Sequence, residues 1–409
     1  MRILLVTNRF PPDIAGGAEI LAGGLVEALR RQGHTVVVLT SRSARCRGRQ
    51  PGVARALRTA IDSNASRPRL ARGAVSQSIS FYRQMHSPAS ARALRHAVAR
   101  VQPDVVYVWN VSGIGLVSLL HALRKVPMPV VFHLHSYWWQ YINSPRTPFS
   151  RVRATWLKRL LIGPVPPLRF ASAIVCSQAL KREYRSSGCP EERIEVIPNA
   201  IDAHFLEPAA ERAALGATLM YAGRLCAEKG VMTALHAVAA VRDGSHPEVR
   251  FLIYGKGDTR YEQALRQYVH ERGLESAVSF EGLVRQEELV GAYDRADVVL
   301  VPSLWEEPFG LVAVEAMARG TAVVASDVGG LHDLIRDGRD GVLVAPGNAS
   351  ALGKAIRALL DEPAWRRQIG QQARARALRR HRFDVFATRV ERHLERARRI
   401  EPHESRWVA

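Results

Sequence analysis

The sequence predicts an α/β protein built from two doubly wound, parallel-sheet (Rossmann-like) domains that face each other across a cleft. Three observations carry that prediction. Short apolar runs rich in β-branched residues alternate with amphipathic stretches along most of the chain. The runs are mostly bounded by Gly, Pro, Ser or Asn, which is the pattern of strands buried on both faces of a parallel sheet. The alternation also restarts after an interruption near residue 203, so the 409 residues divide into two such domains.

In the first half the strand-like runs are RILLVT, TVVVLT, DVVYVW, PVVFHL, SAIVCS and RIEVIP. TLMYAG, RFLIYG, AVSFEG, DVVLVPS, TAVVAS and GVLVAP follow in the second. Helical periodicity occupies residues 17–32, 231–241, 259–272 and 348–360, and an Arg-rich helical stretch covers 363–400. Pro208 and a scarcity of aliphatic residues mark 203–216 as a linker. The expected domains are therefore 1–202 and 217–380, with 381–409 a C-terminal helix packing back toward the first domain. Two sections fit the pattern poorly. Residues 42–100 carry 13 Arg and one acidic residue, Asp62, with little strand pattern, and 146–169 carry six basic residues and no acid.

The composition, 47% hydrophobic and 23% charged, is enough to bury two cores. The net charge of +20 is unevenly placed: residues 1–205 hold 29 Lys+Arg and 10 Asp+Glu, or +19, and the remainder holds +1. A general bias toward Arg would act on both halves. The asymmetry points to an anionic partner of the first half, either nucleic acid or an anionic membrane surface, the other reading being an Arg-rich, merely solvated surface. Cys46, Cys176, Cys189 and Cys226 have neither metal-ligand nor redox spacing, which suits a reducing compartment. The N-terminal apolar run is too short for a signal peptide, and no stretch reaches about 18 apolar residues. A cytoplasmic protein is expected, with any membrane contact peripheral, on the inner face.

In open α/β sheets ligands bind beyond the carboxyl ends of the strands, and each motif of interest follows a strand-like run. PSLWEEPFGLVAVEAMARG, residues 302–320, places Glu307 in a loop and Glu315 in a helix that Pro308, Phe309 and Gly310 would open. The amides of Phe309, Gly310 and Leu311 would then form an anion site at the helix start. Glu307 is placed to accept hydrogen bonds from sugar hydroxyls, and Glu315 to reach the paired hydroxyls of a ribose. The spacing by itself also fits two surface glutamates on an ordinary helix. YAGRLCAEKG, residues 221–230, brings Arg224 and Lys229 around one turn, either as a diphosphate clamp or as a solvated charged turn. PPDIAGGAE, residues 11–19, has Gly16 and Gly17 feeding a helix but lacks the spacing of a dinucleotide fingerprint, which disfavours NAD. In VVFHLHSYWW, residues 130–139, His133 and His135 share one face of a strand end. Further zinc ligands are missing, so His135 is taken as a hydrogen-bonding residue. Tyr137, Trp138 and Trp139 either stack on a sugar or acceptor or fill the core. Gly255 and Gly257 in YGKGD, and the GG of ASDVGGLHD, form turns after strands, and Leu283 and Val284 are placed to offer backbone groups to a nucleobase.

Together these residues resemble the retaining glycosyltransferases of family 4, the group 1 enzymes of the GT-B fold. The resemblance spans nearly the whole chain. It rests most specifically on the E-x7-E block ending EPFGLVAVEAMARG, supported in family order by PPDIAGGAE, IPNAID, YAGRLCAEKG, YGKGD and ASDVGGL. It implies that Glu307 contacts the donor sugar, Glu315 the ribose, Arg224 and Lys229 the diphosphate, and Gly17, with Gly16 beside it, the β-phosphate. It implies that His135 orients the donor sugar near the anomeric carbon. It further implies transfer of a hexose-type sugar from a nucleotide-diphosphate sugar with retention of configuration, with no cofactor and no metal. Two departures, Ser136 where an acidic residue is common and His332–Asp333 where Pro-Glu is usual, bear on acceptor choice and fine geometry.

In this family the N-terminal domain handles the acceptor, so the basic half is the acceptor half. RVRATWLKRLLIG, residues 151–163, interleaves Val152, Trp156 and Leu160 with Arg151, Arg153, Lys158 and Arg159. That is the pattern of an interfacial helix, or of an ordinary amphipathic helix on its own core. The expected acceptor is a lipid-linked or cell-envelope glycan or glycolipid of polysaccharide biosynthesis, with weak binding to anionic lipid. The other readings are a nucleotide-sugar epimerase of the same double-sheet fold, a natural-product or small-molecule glycosyltransferase, and a non-catalytic nucleotide-sugar-binding subunit. Nucleic acid is disfavoured as a partner, because no recognition motif accompanies the basic segments.

Overall fold

All twelve apolar runs form strands in the computed structural model of the chain, which describes residues 1–14, 16–42, 50–58, 82, 84–137, 170–207 and 216–400. In the first half they are β1 (Arg2–Thr7), β2 (Thr35–Ser41), β4 (Val105–Asn110), β5 (Val130–Leu134), β6 (Ser172–Val175) and β7 (Ile194–Val196). The strand β3 (Val53–Leu57) is additional and lies in the Arg-rich segment that shows little strand pattern. It pairs only with β2 at the sheet edge and buries only Leu57 fully, so it needs no apolar run. In the second half β8 (Thr218–Ala222), β9 (Arg250–Tyr254), β10 (Val278–Gly282), β11 (Val298–Val301), β12 (Ala322–Ser326) and β13 (Val342–Val344) follow.

The described helices are α1 (Gly17–Arg31), α2 (Pro88–Val101), α3 (Leu116–Leu123), α4 (Gln178–Ser186), α5 (Val231–Arg242), α6 (Thr259–Glu271), α7 (Gln286–Arg295), α8 (Leu311–Ala318), α9 (Gly329–Leu334), α10 (Ala349–Asp361), α11 (Pro363–Arg380) and α12 (Phe383–Arg398). The helical stretch 363–400 is thus two helices, separated at His381–Arg382.

Every strand pairing is parallel. The seven-stranded sheet runs β3-β2-β1-β4-β5-β6-β7, and the six-stranded sheet runs β10-β9-β8-β11-β12-β13. Both have the doubly wound order, with the direction of winding reversing between β1 and β4 in one and between β8 and β11 in the other. A crevice at the carboxyl ends of the strands forms at such a reversal.

The chain divides into two compact units, 1–176 with 180–197 and 387–409, and 177–179 with 198–386. It enters the second unit at Ile197–Pro198, upstream of the stretch 203–216, and returns at Phe386–Ala387, inside α12. Within the second unit Ala203–Phe205 is one 3-10 turn, capped by Asp202, which accepts the His204 amide at 3.0 Å. Arg319 holds that turn: it donates to Glu207 O at 2.7 Å while pairing both carboxylate oxygens of Asp294 at 2.8 and 2.6 Å. Within the first unit α12 is tied to β6 and β7. His393 bridges Ser172 Oγ and Glu195 Oε2, each at 2.8 Å, and Arg389 donates to Val196 O at 2.7 Å. Among the described residues no helix is long and apolar enough to cross a membrane.

Candidate functional site

The winding reversal of the second sheet gathers several of the residues that the sequence singles out. After β8 the chain turns through Arg224 into a 3-10 turn, Ala227–Lys229, and then α5. After β11 it runs through Ser303 and Glu307 toward α8. The two loops meet. Leu304 N–H donates to Glu228 O at 2.8 Å, and Lys229 Nζ forms an ion pair with Glu307 Oε1. Ser303 Oγ donates to the same carboxylate oxygen at 2.6 Å. Glu307 is only 5% exposed, so both contacts compensate a charge taken out of water. Gly330 N–H donates to Glu307 O at 2.6 Å, and a Cβ at Gly330 would stand 2.6 Å from Pro308 O. The GG turn therefore supports the Glu307 loop from behind. The Lys229 ammonium also lies 5.5 Å from the centroid of the Trp305 ring. Arg224 is exposed, and its guanidinium has no hydrogen bond or ion pair among the described residues. Its carbonyl accepts the Tyr221 hydroxyl at 2.8 Å.

The helix carrying Glu315 starts later than the sequence suggests. Pro308 and Phe309 precede it, and Gly310 is its N-cap, at φ 99°. Only glycine takes that conformation readily, and a Cβ there would also stand 2.5 Å from the Leu331 side chain. The helix thus begins at Leu311, which places Glu315 just over one turn in rather than two. The Phe309 side chain is buried, against the His381 ring at 5.6 Å, so only its backbone is offered. Glu315 Oε2 accepts the Tyr293 hydroxyl at 2.9 Å. Burial pushes the Glu315 carboxyl up to about 7; the Tyr293 bond opposes that rise and the nearby Asp202 adds to it.

Gly255 and Gly257 follow β9, the neighbour of β8. Gly255 has φ 131°, and a Cβ there would sit 1.8 Å from Gly223 O; one at Gly257 would sit 1.7 Å from Leu225 O. Both glycines let the β9 loop lie against the β8 loop. Leu283 is 77% exposed and Val284 half-buried, after the edge strand β10 and two strand positions away from β8.

In the first unit His133 lies in β5, one residue before its end, and His135 follows the strand; their rings stack at 4.1 Å with the Trp109 ring 4.5 and 4.3 Å from each. Tyr107 Oη is 2.5 Å from His133 Nδ1. Both ring nitrogens of His135 are buried without a hydrogen-bond partner among the described residues. Burial pulls its pKa down to about 3, so the ring is neutral at ordinary pH. Gly17 opens α1, and Gly16 is its N-cap, donating its N–H to Glu19 Oε2 at 2.7 Å. Gly16 has an extended backbone, φ −174°. Tyr137 is 6% exposed and packs in the core of the first unit. Trp138, Trp139 and the segment 151–163 lie outside the described residues. Ser136 O accepts the Tyr184 hydroxyl at 3.0 Å. Of the His332–Asp333 pair, His332 contacts Asp327 at 2.6 Å and Asp333 accepts the Ala179 amide at 2.7 Å. A cavity of about 630 Å³ opens at the opposite, amino ends of β1, β4 and β5, lined by Arg2, Asp104, Pro129 and Arg398; none of the described site residues lines it.

Comparison with known proteins bears on this arrangement. Residues 15–205 match the family Glycosyltransferase Family 4, and residues 211–376 match Glycosyl transferases group 1. A glycogen synthase of Mycobacterium tuberculosis is 33% identical over 402 residues, covering 93% of this chain and 89% of that protein. The chain belongs to the family 4, group 1 glycosyltransferases. A phosphatidyl-myo-inositol mannosyltransferase of Mycobacterium leprae is 28% identical over 384 residues, covering 93% of each chain. The crystal structure of Anabaena HepE in complex with UDP-glucose matches with a TM-score of 0.71 at 21% identity, over 97% of this chain and 100% of that one. Its fold, like that of this glycosyltransferase, is GT-B.

Two partners of the glutamates were not among the sequence candidates. Ser303 stands four residues before Glu307 in the same motif, so a search for hydrogen-bond donors around Glu307 would have found it. Tyr293 lies 22 residues before Glu315 on α7 and leaves no local signal.

Proposed function

We propose that this glycosyltransferase moves a hexose from a nucleoside-diphosphate sugar to a hydroxyl of an acceptor glycan or lipid-linked glycan, with retention of configuration and without a metal. The observation that carries the reading is the Lys229–Glu307 ion pair at the β8/β11 reversal, where a cation and a hydrogen-bond acceptor for sugar hydroxyls stand side by side. The exposed Arg224 on the same loop supplies the second cation of a diphosphate clamp, and the Gly310–Leu311 amides at the start of α8 add donors. The family resemblance assigns Gly16 and Gly17 to the β-phosphate. Glu315 takes the ribose hydroxyls. The structure of HepE with UDP-glucose lends weight to a nucleotide-sugar donor.

Chemically, the acceptor oxygen bonds to the anomeric carbon as the bond from that carbon to the diphosphate oxygen breaks. The acceptor proton passes to the departing phosphate on the same face. Arg224 and Lys229 stabilise the charge that develops on the leaving group. Glu307 is committed to Lys229 and Ser303, which suits a residue that holds the sugar rather than a nucleophile. The neutral His135 ring fits a hydrogen-bonding role toward the donor sugar, not that of a general acid.

The name of the mannosyltransferase relative, together with the +19 charge of residues 1–205, supports an envelope-type acceptor and contact with an anionic membrane surface. The test is turnover with UDP- and GDP-hexoses, with and without EDTA, against glucan and lipid-linked acceptors, with the anomeric configuration of the product read by NMR. Inverted product or EDTA-sensitive turnover would correct the mechanism, and isomerised donor without acceptor would favour an epimerase. Equal sedimentation with anionic and neutral liposomes at low salt would remove the membrane contact.

A further inference from the structure

A polar atom beside the Lys229–Glu307 pair has no hydrogen-bond partner among the described residues. The indole Nε1 of Trp305 is buried and makes no hydrogen bond among the described residues. Indole nitrogen is a donor only, and when buried it ordinarily finds an acceptor. An unmet buried N–H keeps its full desolvation penalty, and such a group calls for a partner such as a water, an ion or a ligand.

The neighbouring groups are already engaged. The Leu304 amide is held by Glu228 O, the Ser303 hydroxyl by Glu307 Oε1, and the Glu307 carbonyl by the Gly330 amide. Trp305 therefore sits on a segment pinned on both sides. The Lys229 ammonium stands 5.5 Å from the ring centroid and pairs with Glu307, the two groups assigned above to the diphosphate and the donor sugar.

We propose that Trp305 is a substrate-contacting residue, its indole N–H donating to an oxygen of the bound nucleotide sugar. The inference rests on the donor-site reading and adds a third side chain to the Lys229–Glu307 pair. A diphosphate oxygen and a sugar hydroxyl offer the same acceptor chemistry, so the experiment separates them.

The full chain is labelled with 15N-tryptophan, and the Trp305 indole resonance is assigned by its loss in Trp305→Phe, which keeps an aromatic face for Lys229. UDP, GDP, UDP-glucose and GDP-mannose are titrated, with binding followed independently by calorimetry. Saturation should move the Trp305 indole proton downfield and slow its exchange. Trp305→Phe should weaken the ligand responsible by about 10-fold, or roughly 1.4 kcal/mol. A response to the nucleoside diphosphate alone assigns the acceptor to phosphate, and a response to the nucleotide sugar only assigns it to the sugar. If a ligand binds by calorimetry, is lost in Lys229→Ala, and leaves the Trp305 resonance and the Trp305→Phe affinity unchanged, the inference about Trp305 is overturned alone. If none of the four binds, or Lys229→Ala and Glu307→Ala both bind normally, the donor-site reading falls and the Trp305 inference with it.

Discussion

Tyr293 donates its hydroxyl hydrogen to Glu315 Oε2 at 2.9 Å, tying the end of α7 to the first turns of α8. The bond acts on a carboxyl that burial has moved from an ordinary 4.5 up to about 7. A carboxyl with a raised pKa binds its proton more tightly folded than unfolded. It therefore weakens the fold progressively as pH rises from about 4.5 through about 7, with the full penalty above that. Glu315→Gln should raise the Tm of the ligand-free enzyme at pH 8 and leave it nearly unchanged at pH 4. If ionised Glu315 receives the ribose hydroxyls, donor affinity should fall as pH drops below about 7. Tyr293→Phe removes the one interaction that opposes the rise and should move that midpoint upward. Calorimetric donor Kd values between pH 5.5 and 8.5 measure both shifts, and a flat profile in the wild type would remove the ionised-carboxylate role.

The Lys229–Glu307 pair should behave as one unit. Glu307 is nearly fully buried, so Lys229→Met leaves its charge with Ser303 as the only side-chain partner described. Removing one member of a buried pair typically costs about 3–5 kcal/mol. Lys229 is partly exposed, which places the expected loss nearer about 2 kcal/mol. Adding Glu307→Gln should recover most of that loss, because the uncompensated charge goes with it. A coupling energy below about 0.5 kcal/mol in urea denaturation of the four proteins would show the pair to be a surface contact.

The parts of this site that were legible in the sequence are those written in short, local patterns. Buried parallel strands announce themselves by apolar runs, so both sheets and the loops that follow β8 and β11 could be placed from residues such as Val298–Val301 alone. The edge strand β3 could not, since Val53–Leu57 buries one side chain fully and carries Arg55 toward the backbone of Pro11 at 2.7 Å. The start of α8 was misplaced because Pro308 is a favourable helix opener, whereas the left-handed Gly310, fixed by its contact with Leu331, sets the boundary. Tyr293 and Trp305 were invisible for a different reason. Their importance lies in where a hydroxyl and an indole N–H end up after folding, and no spacing rule encodes that.

The two glycine motifs should respond to substitution in opposite ways. At Gly255 a side chain meets both an unfavourable φ of 131° and Gly223 O at 1.8 Å, so Gly255→Ala should cost more than about 2 kcal/mol and lower the Tm. At Gly16 the backbone is extended, and the nearest described atom to a Cβ is Glu19 Oε2 at 3.9 Å. Gly16→Ala should cost the fold only about 0.5–1 kcal/mol, the usual loss for alanine at an N-cap. If the glycine is there to let a β-phosphate approach, the same variant should lower donor affinity by an order of magnitude. A Gly16→Ala enzyme with an unchanged donor Kd would make that glycine an ordinary helix start.

Arg224 offers the cleanest separation of function from folding. Its guanidinium is exposed and has no described partner, so Arg224→Ala should leave the Tm within experimental error. A side chain that the folded state does not use, placed five residues before Lys229 on a loop at the sheet reversal, has its interactions to gain from a ligand. If it stabilises charge on the departing diphosphate, its loss falls on the transition state more than on the ground state. The variant should then lower kcat by at least about 10-fold, or roughly 1.4 kcal/mol, with a smaller change in KM for the donor. Arg224→Lys should recover part of kcat, since a point charge replaces a planar fork that binds two oxygens at once. Steady-state kinetics with saturating acceptor separates the two constants. A fall in kcat of less than tenfold with an intact Tm would remove the clamp role from Arg224 and leave Lys229 as the only cation assigned to the leaving group.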